Sequence, residues 1–577
     1  MNLMDDHGKN SVYETSLRET VQVHLNDGRI LEGPRGSQLV TFLQGEISPA
    51  PIVGAIVNGE LRELTYPIEM DSKIRPVTMG DADGMRFYRR SLTFLLAASF
   101  EELFPDATLF VDHSVSSGGY YCEVRGRDPL SEKELEQLEE RMRIWVQEDV
   151  PFAKTQIPLP EAIIYFKNKG YDDKARLLAH RKKPHLVLYE LGTHLDYHHG
   201  YMVPSTGYLT CFGLVRTDGG FTLRFPRRHR PTELIPMPEF PKLLGTFQQY
   251  GDWLTTMGIH DIGALNDSIL AGRAREVILV TEALHEQRIS EIAGTIAERR
   301  NDVRGILVAG PSSSGKTTFS KRLAVQLLAR GVSPFAIELD HFFVNRENTP
   351  RDEKGDFDYE SLQALDIERL NADLRSLIAG KPTVLPNYDF ITGMREEGPE
   401  MQLNPDQIII VEGIHGLNPA LLPAVDPSQT YRIYVSALTQ LNLDRFNRVS
   451  TTDTRLIRRI VRDAKHRGYS AVETIHRWES VRRGEKRYIF PFQENADVMF
   501  NSALLYEGSA LAPLAEPLLR QVPFGTEEHV EAKRLLTFLE WFLPLDTSLI
   551  PDNSILREFL GGSILGEFQP WQDPSEV

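Results

Sequence analysis

The stretch Gly310-Pro311-Ser312-Ser313-Ser314-Gly315-Lys316-Thr317 decides the fold of the region that contains it. It fits G-x-x-x-x-G-K-[ST], the pattern of a phosphate-binding P-loop. Glycines and small serines let backbone N–H groups curl around a triphosphate, and the following helix directs its positive N-terminal end at the same phosphates. The pattern predicts that Lys316 reaches the β- and γ-phosphates and that the Thr317 hydroxyl ligates Mg²⁺. It therefore predicts ATP or GTP as a ligand.

The sequence on either side has the periodicity that a P-loop requires. Residues 305–309 are apolar, as in a buried strand that runs into the loop. Apolar residues then recur at helical spacing at Phe319, Leu323, Leu327 and Leu328. A strand before the loop and a helix after it argue against an accidental match.

Two apolar strands farther along the chain end in acidic residues. The run 334–339 ends at Asp340, and the run 408–411 ends at Glu412. In a parallel α/β sheet, the carboxyl ends of the strands border the crevice where ligands bind. We predict Asp340 as a general base on a hydroxyl, or as a Mg²⁺ holder through water, and Glu412 as a Mg²⁺ neighbour. The alternative for each is a carboxylate that caps the next turn.

Length, charge and cysteine content exclude several classes of protein. The chain has 577 residues, which predicts several domains, and a net charge of −17, which disfavours a general nucleic-acid binder. Two cysteines, Cys122 and Cys211, exclude a disulfide framework. No 18-residue apolar run occurs, and residues 1–6 lack the features of a signal peptide. We therefore expect a cytoplasmic protein without a membrane partner, and its oligomeric state stays open.

The motifs that follow the P-loop resemble those of the uridine kinase and phosphoribulokinase family, in the family's order. They are Asp340-His341-Phe342-Phe343, Asp356-Phe357-Asp358-Tyr359, Tyr388-Asp389-Phe390, Arg395, Glu412-Gly413-Ile414 and the arginine-rich segment 452–463. Uridine kinases match better than phosphoribulokinases. The resemblance implies a parallel-sheet P-loop kinase over residues 291–525, which uses ATP (or GTP) and Mg²⁺ to phosphorylate a nucleoside 5′-hydroxyl, uridine or cytidine by default.

The resemblance also implies a role for individual side chains. Asp340 would be the base on the 5′-hydroxyl, Asp358 would bind the ribose hydroxyls and Tyr388 would lie near the nucleobase. Phe343, Arg395 and Arg455 complete the implied substrate site. Thr318 joins the P-loop residues in nucleotide binding.

A basic helix is predicted to close over the phosphates. Arg455, Arg458, Arg459 and Arg462 recur at helical spacing, with the first, third and fourth on one face. Arginine forks stabilise the charge that spreads over a phosphoryl group during transfer. We predict Arg455 and Arg459 as catalytic and Arg458 and Arg462 as nucleotide-binding; the alternative is a solvated surface stripe.

Three departures from the family pattern leave the acceptor open. Gly393 stands where uridine–cytidine kinases have a histidine that reads the pyrimidine. Tyr469 ends a lid segment that usually ends Arg-Gly-Arg in the family. Phe343 stands where a tyrosine is common. Two other hypotheses therefore remain. One is a sugar-phosphate kinase of the phosphoribulokinase branch, and the other is an RNA- or tRNA-linked P-loop protein.

The N-terminal sequence resembles parts of aminoacyl-tRNA synthetases. Residues 1–80, with strands at 21–25 and 30–32 and an Asn58-Gly59 hairpin, resemble the ubiquitin-like TGS domain. Residues 81–230, with helices at 89–103 and 130–145, resemble the editing domain of threonyl- and alanyl-tRNA synthetases. The four positions of that family's His-x-x-x-His and Cys-x-x-x-His motifs fall on Arg90, Phe94, His198 and Met202. Since three of the four lack the family's chemistry, hydrolysis of mischarged tRNA is not expected.

The remaining segments carry weaker signals. Residues 231–290 are predicted to be a helical connector, and residues 526–577 a helical tail that packs on the kinase or on a partner. His194, His198 and His199 form a cluster that could bind a metal, although a hydrogen-bonded surface loop is favoured because no second ligand pair has a fitting spacing.

Overall fold

The computed structural model describes residues 16, 18–115, 118–236, 240–353, 355–389, 391–423 and 425–568. Phe390, residues 1–6 and the end of the predicted tail lie outside these ranges. Within them the chain has the predicted mixed architecture: two α+β modules precede a P-loop domain with a parallel sheet.

The first module is a five-stranded sheet with one short helix. Its elements are β1 (Thr20–Leu25), β2 (Ile30–Pro34), α1 (Leu39–Leu43), β3 (Ile52–Val57), β4 (Glu60–Glu63) and β5 (Ser72–Thr78). The strand order is β2-β1-β5-β3-β4. Asn58 and Gly59 have φ values of 49° and 83°, which is the geometry of a two-residue hairpin turn. The predicted Asn-Gly hairpin is therefore confirmed.

The second module places helices against two antiparallel sheets. Its elements are α2 (Ala82–Leu103), β6 (Thr108–Val115), β7 (Gly119–Arg125), α3 (Glu132–Glu148), β8 (Ala153–Pro158), α4 (Leu159–Asn168), α5 (Asp172–Ala179), β9 (His185–Leu191), β10 (His194–Asp196), β11 (Gly213–Thr217) and β12 (Gly220–Arg224). The strand orders of the two sheets are β11-β12-β7-β6 and β10-β9-β8. Apolar residues from Phe87 to Phe100 on α2 form the centre of its core. The predicted helices at 89–103 and 130–145 correspond to α2 and α3.

Three helices connect this module to the P-loop domain: α6 (Pro241–Met257), α7 (Ile262–Leu270) and α8 (Ala274–Glu298). The connector is helical, as expected. Helix α8 continues through residue 290, so the boundary predicted there lies inside a continuous helix. Its apolar residues, among them Ile289, Ile292 and Ile296, belong to the same core as the P-loop helix.

The P-loop domain is built on a five-stranded parallel sheet. Its elements are β13 (Gly305–Ala309), α9 (Lys316–Leu328), β14 (Ser333–Glu338), α10 (Ile367–Ile378), β15 (Thr383–Asp389), β16 (Met394–Met401), β17 (Gln407–Glu412), β18 (Thr430–Ser436), α11 (Thr451–His466), α12 (Ala471–Tyr488), β19 (Val498–Asn501) and α13 (Glu507–Leu519). The strand order is β14-β17-β13-β18-β19. The central strands read as continuous apolar runs because helices cover both faces. Their carboxyl ends gather the P-loop, Asp340 and Glu412 at one edge.

The C-terminal segment adds α14 (Glu527–Leu539) and α15 (Arg557–Leu560) and packs on the P-loop domain. Ile555, Leu556 and Phe559 are fully buried in the same core as α9. Arg534 of α14 donates to both carboxylate oxygens of Asp453 on α11, at 2.7 and 2.8 Å. The tail is therefore part of the domain's core. In the described parts of the chain, no helix is both long and apolar enough to cross a bilayer.

Candidate nucleotide and acceptor site

The P-loop joins β13 to α9 through backbone that only small residues allow. A Cβ at Gly310 would collide with the carbonyl of Val435, and Gly315 has a φ of +86°. Ser313 also adopts a positive φ, 59°. Gly315 is the N-cap residue of α9, and a glycine has no side chain that could cap the helix. The first amides of α9 are therefore directed at the phosphate position.

Two buried serine hydroxyls of the loop show whether the site fits a phosphate. The side-chain oxygens of Ser313 and Ser314 are buried and have no hydrogen-bond partner among the described residues. Buried polar groups in proteins are normally paired, and an unpaired one costs about 1–3 kcal/mol. Phosphate oxygens would satisfy both hydroxyls, so the loop fits the ligand that its sequence predicts.

Thr317, Lys316 and Glu412 lie together at the end of the central strands. Thr317 Oγ1 donates to Glu412 Oε2 at 3.1 Å, and Lys316 Nζ lies 3.8 Å from Glu412 Oε1. Burial raises the pKa of Glu412 to about 8. The positive charge of Lys316 lowers this pKa, whereas repulsion from Glu338 and other nearby carboxylates raises it further.

These residues could hold Mg²⁺ with help from the substrate. Across the described residues, no group of three or more His, Cys, Asp and Glu is arranged to bind a metal ion. Mg²⁺ commonly uses only one or two protein ligands together with substrate phosphates and water. Thr317 and Glu412 suit that mode, and a divalent cation would relieve the repulsion around Glu412.

Helix α11 brings two of the predicted arginines to the P-loop. Arg455 Nε donates to the backbone oxygen of Ser312 at 2.9 Å, and Arg459 Nη1 donates to Ser312 Oγ at 2.8 Å. Arg455 is also paired with the buried carboxylate of Glu485. Burial lowers the pKa of Arg459 to about 10, with repulsion from Arg462 as the next cause. Both arginines contact the loop that would carry the phosphates.

The other two arginines of α11 have structural partners. Arg458 is fully buried, and its Nε donates to Glu507 Oε2 at 2.7 Å. Arg462 Nη2 donates to the neighbouring Asp463 at 2.8 Å. The helix packs against α12, α13 and α15. The surface-stripe alternative is therefore wrong for Arg455 and Arg458, which are 1% and 0% exposed.

The predicted acceptor residues Phe343 and Tyr388 belong to an aromatic cluster beside the turn that carries Asp340. Asp340 lies in a 3₁₀ turn, Leu339–Phe342, directly after β14. The ring of Phe343 lies 5.6 Å from that of Tyr388 and 6.3 Å from that of Tyr359. Asp358 accepts a hydrogen bond from Tyr488 Oη at 3.3 Å. The predicted substrate residues Phe343 and Tyr388 are therefore brought together.

Two positions near this aromatic cluster differ from what the family pattern implies. Arg395 Nη1 donates to Asp366 Oδ2 at 2.8 Å, which ties β16 to the start of α10. At Gly393 φ is +76° and a Cβ would lie 2.5 Å from Arg346 Nε, so a side chain there would be strained and would require Arg346 to shift. The backbone N–H of Arg346 donates to the carbonyl of Gly393 at 2.8 Å. Arg346 thus fills the place where a histidine would reach the base.

Glu360 belongs to this site, although the sequence analysis missed it. Burial raises the pKa of Glu360 to about 7, while Arg459 and Lys316 oppose the rise and Asp340 adds to it. Its Oε2 atom is buried without a hydrogen-bond partner in the described structure. Its position directly after the acidic-aromatic stretch 356–359 was the available signal. Glu360 brings a further carboxyl group close to both the P-loop lysine and the predicted base.

The structure also brings together the four editing-motif positions of the second module. The ring of Phe94 lies 5.5 Å from His198 and 4.9 Å from His194, and Arg90 donates to the carbonyl of Tyr201. Met202 is buried. Phe94 itself stands at one of the editing family's histidine positions, and its ring packs against His198, which stands at the family's cysteine position.

The histidine cluster of this module is not a metal site. His194 pairs with Glu101, and the ring of His199 lies 4.5 Å from that of Trp541. Burial lowers the pKa of His199 to about 3 and that of His198 well below its ordinary value. The metal hypothesis is wrong for the described residues, which contain no group of three or more possible ligands. The surface-loop alternative is wrong too, because His194 and His198 are buried, His199 is 16% exposed, and the rings pack against other side chains.

Comparison with known proteins agrees with the motif order. Residues 306–504 match the family model described as the Phosphoribulokinase / Uridine kinase family. The recognition from sequence is thereby confirmed for this segment. A solved structure described as a possible uridine kinase from Bacillus stearothermophilus is 20% identical and covers 37% of this chain and 97% of that chain, with a TM-score of 0.27. At that TM-score the likeness carries no argument.

The N-terminal region matches threonine–tRNA ligases. The ligase of Desulforamulus reducens is 29% identical over 227 residues, which are 38% of this chain and 35% of the ligase. The ligase of Aromatoleum aromaticum is 31% identical over 186 residues, which are 32% of this chain and 29% of the ligase. The chain thus spans about a third of the length of these relatives. The resemblance to the N-terminal synthetase modules is confirmed.

Proposed function

We propose that this protein is an ATP-dependent kinase that phosphorylates the 5′-hydroxyl of a nucleoside, with uridine and cytidine as the first acceptors to test. The single observation that carries the proposal is the pair of buried, unpartnered hydroxyls of Ser313 and Ser314 in a P-loop at the same edge of the parallel sheet as Asp340. The match of residues 306–504 to a kinase family supports it.

The side chains would divide the work between positioning and charge stabilisation. The acceptor oxygen would form a bond to the γ-phosphorus while the bond to the β–γ bridging oxygen breaks, which releases ADP, and the acceptor proton would pass to Asp340. Lys316, Arg455 and Arg459 would stabilise the negative charge on the transferred group. Mg²⁺, held by Thr317 and Glu412, would neutralise the phosphates.

The test is ADP release with Mg·ATP against a panel of nucleosides. Lys316→Ala should abolish turnover, whereas Lys381→Ala, at an exposed lysine outside the site, should not. GTP in place of ATP identifies the donor. A folded protein that binds ATP but phosphorylates no nucleoside would refute the nucleoside assignment.

A sugar phosphate is the second candidate acceptor, and Arg346 favours it. Its guanidinium interacts with Tyr388, where the family pattern puts the nucleobase, and it closes the position of the base-reading histidine. An arginine fork suits a phosphate better than a neutral pyrimidine. Arg346→Gln should then raise KM for a pentose phosphate at least about tenfold, the loss expected for one charge-assisted contact. If the protein phosphorylates nucleosides and Arg346→Gln leaves its KM for the nucleoside unchanged, the second candidate is excluded.

The RNA-linked hypothesis stays a prediction. Its test uses the same assay with RNA added in place of a nucleoside, where stimulated ADP release would favour it. Cytoplasmic location likewise stays a prediction.

A further inference from the structure

The C-terminal segment 551–566 crosses the start of the P-loop helix. Glu558 Oε2 accepts a hydrogen bond from Thr318 Oγ1 at 3.1 Å and from the backbone N–H of Thr318 at 3.4 Å. Backbone amides at this end of a P-loop helix are donors to phosphate oxygens. A carboxylate oxygen of this chain therefore lies where a nucleotide phosphate oxygen is expected.

Further contacts hold the segment at this place. Ile555 Cγ2 would lie 2.5 Å from a Cβ at Gly315, so the side chain rests directly on the loop's last glycine. Lys321 Nζ donates to the carbonyls of Leu565 at 2.8 Å and Gly566 at 3.0 Å. Lys465 of α11 donates to the carbonyl of Leu560. The segment is thus bound to both α9 and α11, the two helices that frame the nucleotide site.

Charge makes this arrangement incompatible with a bound triphosphate. Glu558 is among the carboxylates whose repulsion adds to burial in raising the pKa of Glu412 and of Glu338. A nucleotide would bring several more negative charges to the same helix end. The Glu558 carboxylate and an α-phosphate cannot both accept from the Thr318 amide, so one must leave when the other binds.

The segment can move locally without loss of the core. Helix α15 is a single turn, Arg557–Leu560, and short helices have little stability of their own. Glu558 is partly exposed, whereas Ile555 and Leu556, which precede the turn, are buried anchors. Unwinding of this single turn would remove the carboxylate from Thr318 and leave those two anchors in place.

We propose that the segment is an autoinhibitory strap in which Glu558 occupies the phosphate position on Thr318 until a nucleoside triphosphate displaces it. This inference rests on nucleotide binding by the P-loop, which is one part of the proposed function. In the strap, the carboxylate of Glu558 competes with the nucleotide for the phosphate position on Thr318.

The test measures affinity for Mg·ATP by isothermal titration calorimetry on the full chain. Glu558→Gln keeps the shape of the side chain and removes its charge. The variant should bind ATP at least about tenfold more tightly than the unmodified protein, because the nucleotide no longer displaces a charge-assisted hydrogen bond. Glu567→Gln, at an exposed glutamate directly after the segment, is the matched control and should leave the affinity unchanged. Hydrogen exchange gives a second readout, because ATP should accelerate exchange of the amides of Phe559, Leu560 and Gly561.

The outcomes separate the strap from the proposed function. Weaker ATP binding by Glu558→Gln would mean that Glu558 contacts the nucleotide, which overturns the strap. Equal affinity, with binding still lost in Lys316→Ala, overturns the strap alone. If the folded, unmodified protein and Glu558→Gln both fail to bind any nucleoside triphosphate, the proposed function fails, and the strap fails with it.

Discussion

Replacing Lys174 by methionine should destabilise the junction between the second module and the P-loop domain. Lys174 has no exposed side-chain surface, and its Nζ lies 2.9 Å from Asp196 Oδ1 and 3.2 Å from Asp444 Oδ1. Burial alone would raise the pKa of Asp444, but Lys174 and hydrogen bonds hold it below its ordinary value. Without the ammonium group, two buried carboxylates would face each other without a counter-charge.

The size of the effect follows from this burial. Removing one partner of a buried ion pair costs about 3–5 kcal/mol. For 577 residues that unfold together, the unfolding entropy near 60 °C is about 1.2 kcal/mol per kelvin. The melting temperature should therefore fall by about 2.5–4 °C.

Differential scanning calorimetry at pH 7 measures this shift. Lys183→Met is the matched control, because the Lys183–Glu540 pair is 50% and 41% exposed and its loss should cost less than about 1 kcal/mol. Adding Asp196→Asn to Lys174→Met should recover part of the loss by removing one unpaired charge. A Lys174→Met protein that melts within a degree of the control would refute the reasoning.

Three further predictions concern the candidate site. Asp340→Asn should lower kcat by about 10²–10⁴-fold, measured by steady-state kinetics, because the general base is lost. Its affinity for ADP, measured by calorimetry, should stay unchanged. A loss of ADP affinity would contradict the role of Asp340 as base. Because the folded-state pKa of Glu412 is raised from 4.5 to about 8, the nucleotide-free fold binds more protons than the unfolded chain between these values. Its stability in urea should fall as pH rises through that window, and Glu412→Gln should flatten the slope; an equal slope in both proteins would contradict this. Gly393→His should lower activity on uridine, because φ is +76° and Arg346 fills the space; improved uridine selectivity would contradict this by showing that a histidine is accommodated there.

Much of the P-loop domain could be predicted from the sequence because its signals are local. The loop residues 310–317 need small side chains and unusual backbone within a few positions, and the apolar runs that end at Asp340 and Glu412 mark central strands of a parallel sheet. The Asn58-Gly59 turn is local in the same way, since both residues tolerate a positive φ. Each of these patterns reports a structural constraint that acts over fewer than about ten residues.

The partners of the charged residues were decided only by tertiary structure. Helical spacing put four arginines on α11, but it could not show that Arg458 pairs with Glu507 while Arg459 reaches Ser312. Glu360 and Arg346 entered the acceptor site through contacts with residues distant in the chain. Glu558 lies 240 positions from Thr318, and no sequence period links them. A carboxylate's role depends on the charge and burial that surround it, and those arise only when separate segments pack together.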